Sequence, residues 1–437
     1  PPAVACWPRV AVQLPIYNER YVVTRLLNAV AALNYPRDRL VVQVLDDSTD
    51  ETTAIVATQI APLRAAGLDI RHVRRPDRAG FKAGALAHGL RELDVAFVAI
   101  FDADFIPPPD FLRCTVAHLL TNPQMGVVQT RWGHLNSGDN LLTAVQTLAL
   151  DGHFVVEQPA RQRAGWLLNF SGSGGVWRTC AIKAAGGWQA DTLTEDLDLS
   201  YRAQLAGWQI GYLPDVVVPG ELPTQLAAYK QQQARWAQGG TQCLLKLAGP
   251  VWRCPRLTLP QRIMATLHLS QYLPHLLIML LVLLTPLLLA TGALPRLALG
   301  PLGALGILGV GPPLLLITAQ AVTTPHWLPR SLALPALIVL ATGLALSNTR
   351  AILSALAGQR TAFRRTPKFA QGGRVSGYRL PADTLIVWEL VLCGYALWGA
   401  LTALTVAPAL VPLLALHCAA FGLVLLWDLR ELWELRR

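Results

Sequence analysis

The sequence predicts an α/β domain, built on a mainly parallel sheet with helices on both faces, followed by an α-helical membrane domain. In the first half of the 437-residue chain, apolar strand-like runs alternate with helical segments. This alternation is typical of doubly wound parallel sheets. In the second half, long stretches carry no charge, and stretches of about 20 apolar residues are typical of membrane-spanning helices.

Charge is distributed unevenly along the chain. Residues 1–262 carry 25 Lys and Arg and 22 Asp and Glu, whereas residues 263–437 carry only 12 and 5. In the whole chain 15% of residues are charged, against about 25% in soluble domains, which argues against an ordinary soluble enzyme and against intrinsic disorder. Most of the net charge of +10 belongs to the second half, where excess Arg is typical of cytoplasmic loops. We therefore expect no nucleic-acid partner.

The strand-like runs are Val10–Leu14, Leu40–Leu45 and Val95–Phe101. Helical spacing of apolar residues predicts one helix over Arg20–Asn34 and another over Lys82–Leu93, ahead of the third strand. Each strand ends at polar or acidic residues. Because ligands bind at the carboxyl ends of the strands in such sheets, we expect the functional site at this edge.

Acidic residues follow two of these strands directly. Asp102 and Asp104 come after the third strand, and two carboxylates at a strand end can hold a hard divalent cation that neutralises a diphosphate. A helix cap or a solvated loop is the alternative for this pair. Asp46 and Asp47 follow the second strand, where a carboxylate can accept hydrogen bonds from the base or ribose of a nucleotide, or can simply form a capped turn.

Two further motifs point to an anionic ligand. Lys82 opens its helix, where a cation opposes the helix dipole. Contact with a phosphate would explain a lysine there, and a solvated side chain is the alternative. Gly172 and Ser173 belong to a glycine-rich stretch in which backbone can approach a ligand closely. That stretch lacks the spacing of a P-loop, so a Walker nucleotide site is not indicated.

Glu195 and Asp196 stand side by side ahead of a predicted helix over Leu197–Leu205. Capping of that helix explains one of the two carboxylates, and a general base explains the other. The last motif combines amides, a guanidinium that suits a diphosphate and an indole that suits a sugar ring. Its residues are Gln232, Gln233, Arg235 and Trp236, and an amphipathic surface helix is the alternative for them.

In this order the motifs resemble those of the membrane-bound family 2 glycosyltransferases, which include the cellulose, chitin and hyaluronan synthases. Residues 12–19 (VQLPIYNE) and 36–50 (PRDRLVVQVLDDSTD) look most similar to the plant cellulose-synthase-like mannan and glucan synthases. The motifs at 82–86, 102–104, 172–178, 194–196 and 232–236 continue the resemblance. It implies a fold of the GT-A type for the first half of the chain.

The resemblance also implies how a nucleotide sugar is bound. Asp47, with Tyr17 and Glu19 nearby, would hold the base and ribose, and Asp46 is the alternative carboxylate. Lys82 would contact the diphosphate. The cofactor would be Mg²⁺ or Mn²⁺, bridging the donor phosphates from Asp102 and Asp104.

The same resemblance implies the acceptor side of the reaction. Asp196, with Glu195 beside it, would be the general base that deprotonates the acceptor hydroxyl, so that transfer inverts the configuration of the sugar. The remaining residues would steady the leaving diphosphate and bind the terminal acceptor sugar: Gly172, Ser173, Gln232, Gln233, Arg235 and Trp236.

Four membrane crossings are predicted, over Met264–Gly292, 297–329, Thr384–Val406 and Pro408–Trp427. Ser331–Gly358 is expected to lie along the inner interface, because a further crossing would put the cationic loop 359–380 outside. The resemblance implies a gating motif in that loop, where this chain reads FRRTPK at 363–368. Within the spans, an ionisable side chain should face protein or a water-filled path, and Glu389 is expected to do so.

Together these features imply an integral membrane glycosyltransferase, with residues 1–250 forming a cytoplasmic catalytic domain and residues 251–437 the membrane domain. It would use UDP-glucose or GDP-mannose to elongate a β-linked polysaccharide, processively and coupled to export. The first alternative is transfer of a single sugar to a lipid acceptor. The second is a catalytically inactive scaffold or transporter subunit. Expected partners are the donor, a glycan or lipid-linked acceptor and membrane lipids, with the oligomeric state left open.

Overall fold

The computed structural model describes residues 4, 6–293, 307, 309–359, 368 and 385–435. In these residues a seven-stranded sheet forms the centre of the N-terminal half. Its strands are β1 (Val10–Ile16), β2 (Leu40–Asp46), β3 (Asp69–Val73), β4 (Phe97–Ile100), β5 (Met125–His134), β6 (Gly175–Arg178) and β7 (Gln209–Gly220).

The strand order is β3-β2-β1-β4-β6-β5-β7. Strands β3, β2, β1 and β4 run parallel, β6 is antiparallel to both β4 and β5, and β5 runs parallel to β7. Every residue of β2 and β4 is buried, as expected for central strands covered on both faces. The predicted mainly parallel sheet is confirmed, and β6 makes it mixed.

Helices cover both faces of this sheet. Helices α1, α2 and α4 enclose one hydrophobic core, and α3, α7 and α8 enclose the other. The helices of this half are α1 (Val23–Ala31), α2 (Thr52–Ala65), α3 (Phe81–Arg91), α4 (Phe111–Thr121), α5 (Leu141–Asp151), α6 (Gln158–Arg163), α7 (Thr179–Ala184), α8 (Glu195–Leu205) and α9 (Leu226–Arg253), with a π-helix at Gly152–Glu157 between α5 and α6.

The C-terminal half is helical and strongly apolar. Its helices are α10 (Leu259–Leu269), α11 (Pro274–Ala290), α12 (Gly311–Thr323), α13 (Trp327–Ser331), α14 (Leu334–Gly343), α15 (Ala345–Leu356), α16 (Ile386–Val406) and α17 (Val411–Leu435). Of the described helices, Ile386–Val406 and Pro408–Glu434 are each long and apolar enough to cross a membrane. The bent pairs Leu259–Ala290 and Trp327–Leu356 also qualify if each is counted as one span.

The first predicted span differs from the observed helices. The sequence predicts one crossing over Met264–Gly292, and the structure forms it from α10 and α11, which meet at an angle of 60° across a short break. Pro274 begins α11, and a proline has no amide hydrogen to continue the ladder of α10. In the predicted span 297–329, residues 297–306 and 308 lie outside the described residues, as does the loop 360–384 apart from Lys368.

The two halves share packed side chains. Ala237 of α9 belongs to one hydrophobic cluster with Ala351 and Ile352 of α15. Leu226 and Tyr229 of α9 likewise pack in a cluster that includes α14 and α17. Helix α9 therefore connects the sheet domain to the apolar helices along much of its length.

Candidate active site

A cavity of about 430 Å³ opens at the carboxyl ends of β1, β2 and β4, the edge of the sheet at which the sequence predicted a site. Its size is within the usual range for small-molecule sites. Most of the predicted site residues line it: Tyr17, Glu19, Asp47, Lys82, Asp102, Asp104, Gly172, Glu195, Asp196, Gln232, Arg235 and Trp236. The structure thus gathers side chains that are more than 200 positions apart in the sequence.

At one end of the cavity, charged and aromatic side chains pack closely. Arg75 Nε donates to Asp47 Oδ1 over 3.0 Å, and a second guanidinium nitrogen contacts the other carboxylate oxygen. The guanidinium of Arg78 lies 3.3 Å from the centre of the Tyr17 ring, in cation–π geometry. At this end an aromatic ring, a carboxylate and the guanidinium of Arg78 line the cavity, and Arg75 contacts the carboxylate from outside the lining.

Asp46 lies behind this end of the cavity and is fully buried. Its carboxylate accepts from the backbone amide of Ser48 at 2.9 Å and lies 2.8 Å from His72 Nε2. Burial alone would raise the pKa of Asp46, but the hydrogen bonds from His72 and Ser48 outweigh burial and lower the pKa to about 2. Of the two carboxylates that follow β2, Asp47 is the one that lines the cavity.

In the middle of the cavity, Lys82 lies between several oxygen atoms. Its Nζ is 2.5 Å from Asp102 Oδ1, donates to the carbonyl oxygen of Gly172 at 2.9 Å and is 3.9 Å from Glu195 Oε1. Asp104 pairs with Lys368 at 2.8 Å. Each of the two predicted metal-binding carboxylates thus has a lysine beside it.

Among the described residues, no group of three or more His, Cys, Asp and Glu side chains is arranged to hold a metal ion. Asp102 and Asp104 nevertheless line the cavity together. Mg²⁺ is often bound by one or two carboxylates plus the phosphates of a substrate. The two carboxylates therefore fit a cation that takes its remaining ligands from a donor diphosphate and from water.

Glu195 and Asp196 lie in the first turn of α8 instead of ahead of the helix, and the N-cap residue Thr194 makes no side-chain cap. Asp196 Oδ1 accepts from the amide of Leu197 at 2.8 Å. Burial raises the pKa of both carboxylates, and that of Glu195, which also adjoins the charge of Asp196, rises to about 7. The pair can therefore take up and release a proton near neutral pH.

Helix α9 presents one face to the cavity. Gln232, Arg235 and Trp236 follow the spacing i, i+3, i+4, which puts them on the same side of a helix, and all three line the cavity. Gln233 is outside the lining residues, as is Ser173. The buried hydroxyl of Ser173 accepts from the amide of Asp102 at 3.0 Å, so Ser173 supports the loop that carries the two aspartates.

Sequence reasoning missed several residues of the cavity. Trp132, His153, Phe154, Glu157 and Asn169 all line it. They come from β5, from the π-helix and from the segment before the glycine-rich loop. Two features of the sequence could have indicated them. Strand β5 ends in polar and aromatic residues (RWGH), and the otherwise apolar π-helix contains His153 and Glu157.

Comparison with known proteins identifies the family. The model of the family described as "Glycosyltransferase like family 2" matches residues 8–239, which include every predicted site residue. The chain belongs to this family. The observed sheet, with its mainly parallel strands and a neighbouring antiparallel strand, is the GT-A type of fold that the resemblance implied.

Plant members of glycosyltransferase family 2 are similar to this chain. Glucomannan 4-beta-mannosyltransferase 1 of Cyamopsis tetragonoloba is 42% identical over 261 residues, 59% of this chain and 50% of that protein. Glucomannan 4-beta-mannosyltransferase 2 of Arabidopsis thaliana is 43% identical over 251 residues, 56% of this chain and 47% of that protein. The chain thus spans about half the length of the curated relatives that it matches.

Among solved structures, a mannosyltransferase of Pyrobaculum calidifontis in complex with GDP-Man and Mn²⁺ has the same fold. The TM-score is 0.51 at 24% identity, covering 80% of this chain and 88% of the other. This similarity bears on the fold alone.

Proposed function

We propose that this chain is a membrane-embedded, inverting glycosyltransferase that elongates a β-linked polysaccharide from a nucleotide sugar. Of the two donors that the sequence left open, GDP-mannose is favoured over UDP-glucose because the plant relatives are named as mannosyltransferases. The observation that carries the proposal is one cavity lined by Asp196, Lys82, the two aspartates after β4 and the face of α9. This cavity combines a carboxylate that can act as a base toward the acceptor with cationic side chains that can stabilise the leaving diphosphate.

In this proposal the donor extends from the strand ends toward α8. Asp47, Tyr17 and Glu19 bind the base and ribose, and Lys82 contacts the diphosphate. Asp102 and Asp104 would hold Mg²⁺ or Mn²⁺, which when bound neutralises negative charge on the departing diphosphate.

Asp196 acts as the general base in the transfer itself. It accepts the proton of the acceptor hydroxyl as that oxygen attacks the anomeric carbon from the face opposite the diphosphate, which inverts the configuration. Arg235 stabilises the leaving diphosphate through guanidinium hydrogen bonds. Trp236 offers its indole face to the terminal acceptor sugar, and Gln232 adds an amide donor beside it.

The membrane part of the proposal rests on the apolar helices. Residues 1–250 form the cytoplasmic catalytic domain and residues 251–437 the membrane domain, through which the product leaves. Gln271 and Tyr272, between α10 and α11, line the same cavity as Asp196. This contact between the cavity and the first bent apolar helix pair supports elongation coupled to export.

The test uses the purified full chain in detergent with Mn²⁺ and, in separate reactions, radiolabelled GDP-mannose and UDP-glucose. We expect GDP-mannose to give a high-molecular-weight product that an endo-β-1,4-mannanase degrades, and EDTA to prevent its formation. A lack of transfer from both donors would refute the proposal. A label found only in a short, solvent-extractable glycolipid would refute elongation and favour the single-transfer alternative.

Gly172→Ala should lower the rate of transfer by about 100-fold, because small displacements of a reacting group can have effects of that size. A Cβ atom at Gly172 would lie 2.8 Å from Asp196 Oδ2, closer than ordinary contact. The carboxylate would have to move. Initial rates with saturating donor, together with donor affinity, measure the effect.

Gly67→Ala is the matched control for this variant. Gly67 and Gly172 both have a φ of +84°, but a Cβ atom at Gly67 would meet nothing within 4 Å. The two substitutions therefore share the backbone strain and differ in the contact with Asp196. Equal losses of activity would show that strain, and not displacement of the carboxylate, is responsible.

Glu195→Gln should move the acid limb of the kcat/KM profile to lower pH by about one unit. The charge of Asp196 raises the pKa of Glu195, and because such repulsion is reciprocal, a neutral residue at position 195 favours the ionised form of Asp196. A base is active when ionised, and its activity is lost as the pH falls through its pKa. A lower pKa therefore extends activity to more acidic pH. A pH–rate profile checks this, and an unmoved or upward-shifted limb would contradict it.

A further inference from the structure

One part of the cavity has no role in the transfer described above. The π-helix at Gly152–Glu157 contributes His153, Phe154 and Glu157 to the cavity, which Asp196, Gln271 and Tyr272 also line. This segment contributes a carboxylate, an imidazole and an aromatic ring to the cavity.

The π-helix holds two polar side chains together. His153 Nδ1 and Glu157 Oε2 are 2.8 Å apart, and the two residues are four positions apart in the sequence. Gln158 Nε2 lies 3.2 Å from His153 Nε2 and 3.1 Å from Asn169 Oδ1. Because an amide nitrogen can only donate, His153 accepts through Nε2 and donates to Glu157 through Nδ1. The pair is therefore held in a fixed orientation.

Helix α12 and strand β5 contact the start of this segment. Gln320 of α12 donates to Asp151 Oδ2 at 2.9 Å, and His134 lies 3.1 Å from Asp151 Oδ1. A Cβ atom at Gly152 would lie 2.6 Å from a methyl carbon of Leu316. The start of the π-helix therefore packs closely against α12, and a side chain at position 152 would clash with it. π-Helical turns are rare, and many occur at functional sites.

The carboxylate of this pair is ionised. Burial alone would raise the pKa of Glu157, but His153 beside it and Arg161 outweigh burial and lower the pKa. The charges that act on Asp196 belong to a different set, namely Lys82, Arg235 and Asp102. Because like charges repel, the carboxylate of Glu157 disfavours a phosphate beside it and suits a neutral ligand.

Aromatic rings adjoin the pair. Trp132 stacks on Phe154 with 5.0 Å between the ring centres and 29° between the planes, and Phe105 is 4.9 Å from Trp132 on another side. A neutral sugar suits this combination, because its hydroxyls can donate to a carboxylate while its apolar face contacts rings. An anionic or purely apolar ligand does not.

We propose that the His153–Glu157 pair is an acceptor subsite that binds hydroxyls of a glycan unit in the cavity that Asp196 also lines. The inference rests on the proposed function, since it takes a β-linked glycan as the acceptor. Glu157 accepts hydroxyl hydrogen bonds, and His153 holds the carboxylate in place. The pair binds the acceptor and takes no proton in the reaction.

The test compares Glu157→Gln with wild-type full-length protein, using GDP-mannose, Mn²⁺ and β-1,4-linked mannotetraose. Loss of a hydrogen bond to a charged group should raise the KM for mannotetraose by about 10- to 100-fold. The KM for the donor and the slow hydrolysis of donor without acceptor should stay within about twofold. Calorimetric titration of mannotetraose into protein with GDP should give the same loss of affinity.

Glu92→Gln is the matched control, because His88 and Glu92 form another i, i+4 pair, 3.9 Å apart and exposed at the surface. An unchanged affinity for mannotetraose in Glu157→Gln would overturn the inference while wild-type transfer still supports the proposed function. A wild-type protein that hydrolyses the donor but binds no mannotetraose would overturn both. If Glu157→Gln does not fold, Glu157→Asp keeps the charge, shortens its reach and should give the same acceptor-specific loss.

Discussion

Asp196→Asn should lower the rate of sugar transfer by about 10²- to 10⁴-fold, the range that a positioned general base contributes. The asparagine keeps the shape of the side chain and can still accept from the amide of Leu197 through its oxygen. It cannot take a proton from the acceptor hydroxyl. The loss should therefore appear in kcat, with the affinity for the donor nearly unchanged.

Single-turnover transfer from radiolabelled GDP-mannose, with donor affinity from calorimetry, measures both quantities. Asp139→Asn is the matched control, since Asp139 is exposed and carries the same chemical change. Transfer by Asp196→Asn at the wild-type rate would remove Asp196 as the base. The adjacent Glu195, whose pKa is also raised, would then be the residue to substitute next.

The sequence predicted the parts of the sheet that are buried on both sides. Strands β1, β2 and β4 are nearly continuous apolar runs, because helices cover both of their faces. Strand β3 was missed, since Asp69–Val73 has a single buried residue and alternates with polar ones at the edge of the sheet. The antiparallel β6 was missed as well, since its four residues follow a glycine-rich loop that was interpreted only as a ligand-binding loop.

Residues of the cavity were predictable where they belong to short motifs whose residue types indicate their chemistry. The spacing of Gln232, Arg235 and Trp236 predicts one helix face, and the cavity lies there. The residues alone did not indicate which of the two adjacent carboxylates lines the cavity, because alternate residues of a strand end point to opposite sides; only the family resemblance favoured Asp47. Asp46 thus pairs with His72, a residue that only the pairing of β2 with β3 brings near.

Contacts between the two halves of the chain could not be predicted from the sequence and became visible only in the structure. Glu389 was expected to face protein or a water-filled path, and its Oε1 is 2.6 Å from Lys230 Nζ. The sequence gives no indication of this partner, 159 positions away. From the sequence alone, Lys230 of α9 would be expected at the surface. In the structure it is buried because α16 and α17 pack against it.

Lys230 forms the centre of a buried charge cluster between α9 and the apolar helices. Its Nζ contacts Glu389 of α16 at 2.6 Å and Asp428 of α17 at 2.8 Å. The three side chains are at most 3% exposed. Glu431, one turn further along α17, accepts from the amides of Leu226 and Ala227 and so caps the start of α9, where a negative charge is favoured.

Lys230→Met should therefore destabilise the protein by about 3–5 kcal/mol, because it leaves two carboxylates buried without their cation. Thermal unfolding in detergent, followed by the fluorescence of the tryptophans, should show a clear fall in the midpoint. Lys183→Met, at an exposed position, makes the same chemical change and should alter stability by no more than about 0.5 kcal/mol.

A compensated variant separates lost charge balance from lost packing. Combining Lys230→Met with Glu389→Gln and Asp428→Asn removes all three charges, and buried ion clusters can often be replaced by neutral residues at little cost. We expect this variant to regain most of the stability that Lys230→Met loses. If it is as unstable as Lys230→Met, packing of the lysine stem explains the loss. If it recovers, α9, which carries Gln232, Arg235 and Trp236 within two turns of Lys230, is fixed to α16 and α17 by charge.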